Sequence, residues 1–192
     1  GFTLEDFQAK GFLPYTNKQH FWDREEGLTF KTPSGRIECV SGLLEEAGFS
    51  SLPPYESPQA ADGPNRFRMV VGRCAQHTHI STQNNPYLNE LVPENTLWIN
   101  QRSASELGIR EGDTVQVTSD QHSGNIKAKV TDFIHPDCVF LLHGFGHESE
   151  FAARSFNKGV SDAALMKNVS DPVGGSPGLH ETFVTVRPMS GV

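Results

Sequence analysis

Cysteine is scarce in this 192-residue chain and poorly spaced for any framework. Cys39, Cys74 and Cys138 are an odd number, far apart, with no C-x-x-C pair. Such spacing points to neither a disulfide scaffold nor an iron–sulfur or zinc knuckle. It predicts buried or half-buried thiols in a reduced protein. Long apolar runs are also missing: a membrane helix needs about 20 apolar residues in a row, and no stretch approaches that, so no direct membrane insertion is expected. Residues 1–20 carry Glu5, Asp6, Lys10 and Lys18 without an apolar block, which speaks against a secretory leader. A start at Gly1 rather than Met leads to the expectation of a processed product or an excised piece. Basic surface is lacking too. A net charge of -7 argues against nucleic acid, which requires a broad basic face.

What is present describes a loop-rich globular chain, with 36% hydrophobic and 20% charged residues, 18 Gly and 12 Pro. Against roughly 100–200 residues per domain, one domain plus an appendage is expected. One stretch reverses the overall charge. Arg66 to Asn89 contains no Asp or Glu and holds Arg66, Arg68, Arg73, His77 and His79. Local sign decides where an anion sits, so this loop is the candidate holder of a phosphate-bearing ligand.

In chain order, Thr3 to Asp6 fits a capping box and Gly11 closes a short helix. Residues 12–30 read as an irregular aromatic arm. Thr32-Pro-Ser-Gly35 is a turn, Arg36–Val40 a brief strand, and Ser41 caps a helix ended by Gly48. The proline-rich stretch Ser51–Asn65 is the boundary candidate, giving an arm or linker over 1–62 and a main domain over 63–192. Beyond it come strands at Phe67–Val71 and Thr96–Ile99, then a one-turn helix from Ser103 with a capping box to Glu106 and an exit at Gly108. Val115–Thr118 and Ile126–Val130 alternate and form a hairpin turned at Ser123-Gly124. Cys138–Leu142 and Thr182–Val186 complete the set. Short strands at this spacing, with only single-turn helices among them, predict a mainly β fold closing into a barrel.

A resemblance attaches to ordered motifs. They are Phe30-Lys-Thr-Pro-Ser-Gly-Arg-Ile-Glu38, Arg73 with His77-x-His79, Ala104-x-x-Leu-Gly-Ile109-x-x-Gly-Asp113-x-Val115, Gly144-x-Gly146 and Asp171-Pro172. Together, over roughly Phe30 to Val186, they resemble the C-terminal part of molybdopterin oxidoreductases of the dimethyl sulfoxide reductase family. Within that family the chain is most similar to thiosulfate and polysulfide reductase catalytic subunits. The resemblance implies a double-psi β barrel of the aspartate-decarboxylase-like kind, preceded by an irregular arm from the neighbouring catalytic domain. It implies bis-molybdopterin guanine dinucleotide with molybdenum as cofactor, held jointly with upstream domains, and any iron–sulfur cluster only upstream. Upstream catalytic domains and an iron–sulfur electron-transfer subunit are the implied partners, and the periplasm the implied compartment. No catalytic residue is expected here, so the chain alone should not turn over.

The implied cofactor contacts are Gly72, Arg73, Gln76, His77, Thr78, Ser81 and Thr82 in the opening loop, then His143, Gly144 and Gly146, then Asp162 and Asp171. Pyrophosphate and pterin edges call for amide donors, a guanidinium fork and hydroxyls. Guanine calls for a carboxylate, for which Asp162, in Gly159-Val-Ser-Asp-Ala-Ala-Leu165, and Asp171 compete. Ala163 stands where many relatives carry Asn. Of His77 and His79, alternate residues of an extended chain face opposite sides, and His77 is the one expected to matter. Plainer roles stand beside these: a surface ion pair for Arg73, and a simple barrel corner for His143 to His147.

Two sharper alternatives come from the residues alone. Gly174-Gly-Ser176-Pro-Gly178 matches the G-x-S-x-G nucleophile elbow, but Pro177 lacks the amide hydrogen that the oxyanion would need. Cys74, His77 and His79 are a candidate Zn or Cu set. A free-standing nucleotide- or anion-binding barrel is the remaining alternative.

Overall fold

The computed structural model describes residues 2–13, 30–57 and 59–189, so most of the expected aromatic arm over 12–30 lies outside the described residues. The chain divides into two compact units, Gly1–Ser57 and Pro58–Val192.

The first unit carries two short helices. Helix α1, Leu4–Lys10, starts at the expected capping box: the Thr3 side chain accepts from the Asp6 amide, the Asp6 carboxylate accepts from the Thr3 amide, and Gly11 exits in the left-handed region. Helix α2, Gly42–Glu46, is capped by Ser41, whose hydroxyl accepts from the Leu44 amide. The expected strand at Arg36–Val40 does not form. Its polar groups are used locally instead. The Thr32 hydroxyl donates to the Arg36 carbonyl at 2.6 Å, and the Glu38 carboxylate accepts from the Ser34 amide at 2.9 Å. A strand without a partner cannot satisfy its backbone, so the turn wins.

The second unit is a closed six-stranded barrel in the order β1-β5-β2-β4-β3-β6. The strands are β1 Arg66–Gly72, β2 Leu97–Ile99, β3 Thr114–Thr118, β4 Ser123–Val130, β5 Cys138–Leu142 and β6 Phe183–Pro188. Two couples are parallel, β1 with β5 and β2 with β4, and the remaining pairs are antiparallel. The connection from β1 to β2 straddles β5, and that from β4 to β5 straddles β2. These two interlocked crossings make the double-psi barrel. Closure removes every sheet edge.

Alternation sends one face of each strand inward. Met69, Leu97, Ile99, Val115, Val117, Val139, Leu141, Val184 and Val186 are buried and fill the barrel, joined by Ile126, Ala128 and Leu165. Two details differ from the sequence expectation. The β3–β4 turn lies at Ser119–His122, because Ser123 and Gly124 already pair with Thr118 and Val117. Helix α4, Gln101–Leu107, is capped by Asn100 rather than Ser103; Ser103 is buried and its hydroxyl donates to the Pro136 carbonyl. Helix α3, Pro86–Leu91, has the Asn85 cap and first-turn proline that favour a start there.

Strand direction positions the site. Because β1 and β5 run parallel, the chain leaves both at the same end of the barrel, where antiparallel β2 enters. The loop after Gly72, the loop after Leu142 and the approach to Leu97 are therefore neighbours.

Candidate functional site

The loop after β1 is held from within. His77 is 7% exposed, its Nε2 lies 2.9 Å from the Val92 carbonyl oxygen and its Nδ1 3.2 Å from the Thr82 hydroxyl. That hydroxyl also accepts from the Thr78 amide at 2.9 Å. The Phe145 ring packs edge-on to the imidazole at 5.5 Å. His77 thus faces inward with both ring nitrogens engaged, whereas the sequence favoured it over His79 as the ligand-facing histidine. Its neighbours Arg73, Gln76, Thr78, His79 and Ser81 carry the exposed polar side chains of the loop.

Gln83, which the sequence analysis missed, is fully buried. Its amide donates to the His79 carbonyl, and its own carbonyl accepts from the Thr82 amide at 3.1 Å. His79 adopts a positive φ of 47, uncommon for a residue other than glycine. Gly144 sits against this turn with φ 97; a β-carbon there would collide with the His79 carbonyl and stand 2.6 Å from the Gln83 amide nitrogen. Gly146 similarly meets the Val160–Ser161 backbone, and a β-carbon at Gly72 would stand 2.6 Å from the Phe140 ring. All three glycines are thus accounted for by contacts within the protein.

The second loop adds a hydrogen-bonded histidine–carboxylate pair. Asp162, 1% exposed, opens helix α5, Asp162–Leu165, behind the Ser161 cap. One carboxylate oxygen lies 2.7 Å from His143 Nδ1 and the other accepts from the Gly144 amide at 3.3 Å. On its other side His143 meets the His79 ring edge-on at 5.6 Å, and its backbone amide donates to Gly72. The loops after β1 and β5 are thereby tied together. Asn95 ties in the third chain segment: it is buried, donates to the Leu142 and Val160 carbonyls and accepts from the Val160 amide, each at 2.9 Å. His147 Nε2 is buried without a hydrogen-bond partner among the described residues.

The remaining predicted residues lie beside this end or away from it. Arg73, Cys74 and Gln76 line a cavity of about 290 Å³ that starts beside this end, at Asn95 and Leu142, and runs along the barrel wall past Trp98, Phe140, Lys129 and Glu94. Arg66 and Arg68 lie at the start of β1, away from the loop. Arg68 pairs with Glu181 at 2.9 Å, and both guanidinium groups stack on Phe183. Part of the charge reversal read from the sequence is therefore structural. Arg73 makes no ion pair among the described residues. Asp171 is exposed and its carboxylate caps its own turn, accepting from the Val173 and Gly174 amides at 3.0 and 2.8 Å.

The metal set fails on geometry. Both nitrogens of His77 are committed, and no group of three or more His, Cys, Asp or Glu able to hold an ion occurs among the described residues. Cys39 is exposed, contrary to expectation; Cys74 and Cys138 are half-buried, and all three are free thiols. Burial pushes the Cys138 thiol up, against the opposing pull of Arg68 and with the help of Asp137.

A double-psi barrel whose one end is built from two tied, donor-rich loops is the class of structure these residues define. Residues 67–183 match the family described as "Molydopterin dinucleotide binding domain". The chain belongs to this molybdopterin dinucleotide-binding family. It is 34% identical over 165 residues to the thiosulfate reductase molybdopterin-containing subunit PhsA of Salmonella typhimurium, covering 84% of this chain and 21% of that protein. It is 28% identical over 182 residues to the arsenate respiratory reductase molybdopterin-containing subunit ArrA of Chrysiogenes arsenatis, covering 83% and 21%. In three dimensions it is similar to acetylene hydratase from Pelobacter acetylenicus, with a TM-score of 0.77 at 20% identity over 98% of this chain and 28% of that one. The chain spans about a fifth of the length of these curated relatives.

Proposed function

We propose that the second unit holds bis-molybdopterin guanine dinucleotide in a parent enzyme of the dimethyl sulfoxide reductase family, and that residues 1–62 belong with the neighbouring catalytic domain. The observation that carries this is the tied pair of loops at the barrel end, in a chain whose family is described as binding a molybdopterin dinucleotide. The polar groups there suit it. Arg73 offers phosphate oxygens a guanidinium that makes no ion pair among the described residues, Gln76, Thr78 and Ser81 expose an amide and hydroxyls, and His147 keeps a buried ring nitrogen without a partner among those residues. Gly72, His77, Thr82, Gly144 and Gly146 act behind them by shaping the loops. When bound, the molybdenum-bearing cofactor would supply two-electron redox chemistry, and the chain its position and electrostatics.

The proposed reaction of the parent is reduction of a sulfur compound such as thiosulfate or polysulfide, supported by the 34% identity to PhsA. Upstream domains, an iron–sulfur electron-transfer subunit and a periplasmic site belong to the same proposal. The test is the metal and nucleotide content of the purified parent. Arg73→Ala should lower molybdenum and releasable guanine nucleotide per chain together while the protein stays folded. Full retention of both contradicts the assignment.

A further inference from the structure

Asp162 was one of two carboxylates expected to read guanine, and its surroundings assign it different work. Both of its oxygens are engaged inside the protein, by His143 Nδ1 at 2.7 Å and by the Gly144 amide at 3.3 Å, and only 1% of the residue is exposed. A base edge would have to displace one of these bonds and reach a carboxylate sealed under the loop. His143 is differently placed. Its side chain is 24% exposed, its Nδ1 faces the carboxylate, and its Nε2 has no hydrogen bond among the described residues yet is not among the buried unpartnered atoms. That nitrogen is therefore not sealed inside the protein, and it belongs to a half-buried ring packed edge-on to the exposed His79.

The chemistry of the pair is directional. An ionised carboxylate only accepts, so it selects the imidazole tautomer with hydrogen on Nδ1 and leaves Nε2 bare. On gaining a proton, Nε2 becomes a cationic donor with the carboxylate already in place to balance it. We propose that Asp162 is a positioning residue. It fixes His143 so that Nε2 is presented to the bound dinucleotide as an acceptor or, when protonated, a donor, and Asp162 itself makes no contact with guanine. This rests on the function proposed above, but the arrangement of the pair can be read without the cofactor.

Asp162→Asn provides the test because it preserves shape and inverts polarity. The Gly144 amide must keep an oxygen opposite it, so the new NH2 turns toward His143 and donates to Nδ1. Nitrogen-15 NMR of histidine-labelled chain should therefore report an Nδ1–H tautomer for His143 in the unmodified protein and Nε2–H in Asp162→Asn. An Nε2–H tautomer in the unmodified protein overturns the proposal, whether or not the variant folds. In the parent enzyme, the same substitution should weaken cofactor retention about tenfold, the cost of one misdirected hydrogen bond to a charged group. Retention lost without a tautomer change would make Asp162 itself the ligand contact. A tautomer change with full retention would remove His143 from the cofactor. Either result overturns the proposal, and neither bears on Arg73, whose substitution tests the broader function separately.

Discussion

Gly144 lies directly against the carbonyl of His79, so closely that the residue cannot bear a β-carbon. That contact joins the loops after the two parallel strands β1 and β5. Gly144→Ala meets two penalties at once, a left-handed backbone and a collision with main chain. It should cost about 2–4 kcal/mol. Gly175→Ala, with φ 69 and nothing within 4 Å of the added carbon, should cost only about 1–2 kcal/mol from backbone strain. Urea unfolding of the two variants checks the difference.

Asn95 predicts a second stability effect. It bridges two carbonyls and an amide while buried. Asn95→Ala should strand all three groups and destabilise by about 2–4 kcal/mol. Asn95→Asp should be worse near neutral pH and partly recover in acid, since an ionised carboxylate would face the Leu142 and Val160 carbonyls and a protonated one can donate to one of them. Denaturation midpoints at two pH values separate these cases.

The thiols should alkylate in a fixed order. Cys39 is exposed, whereas Cys138 is half-buried in β5 and its thiol is pushed up chiefly by burial. Only the thiolate attacks. Iodoacetamide at mildly alkaline pH, followed by mass spectrometry, should modify Cys39 first and Cys138 last.

Helix α1 should fray in acid. The Thr3 amide, and then its hydroxyl, hold the Asp6 carboxyl below its ordinary value. A depressed folded-state value means the carboxylate contributes above its unfolded value and stops contributing as pH falls through the folded one. Amide NMR should show loss of α1 on acidification, with the barrel signals persisting, and Thr3→Ala should show the loss already at neutral pH.

The barrel was legible because alternation and turn residues are local signals. Val115, Val117, Ile126 and Ala128 point inward as their period requires, and Gly108 and Gly11 exit helices as glycines do. Strand number and spacing already pointed to a barrel, but the two parallel couples and their crossings are not local, and the double-psi topology came only with the family resemblance. The site was legible as a region but not atom by atom. His77 and His79 look alike in sequence; Val92 and Thr82 decide which turns inward. Gln83 and Asn95 carried no motif, because their partners lie on other segments or depend on a turn not visible in the chain. Arg68 counted toward an anion site until Glu181, 113 positions later in the sequence numbering, proved to be its partner.

Whether the barrel end holds a molybdopterin guanine dinucleotide is measured most directly by binding of that cofactor, extracted from a molybdenum enzyme, to the 192-residue chain. Saturable one-to-one binding should appear, weaken with salt because phosphates are engaged, and fall in Arg73→Ala. No binding to the chain, together with undiminished cofactor in the parent carrying Arg73→Ala, would contradict that role.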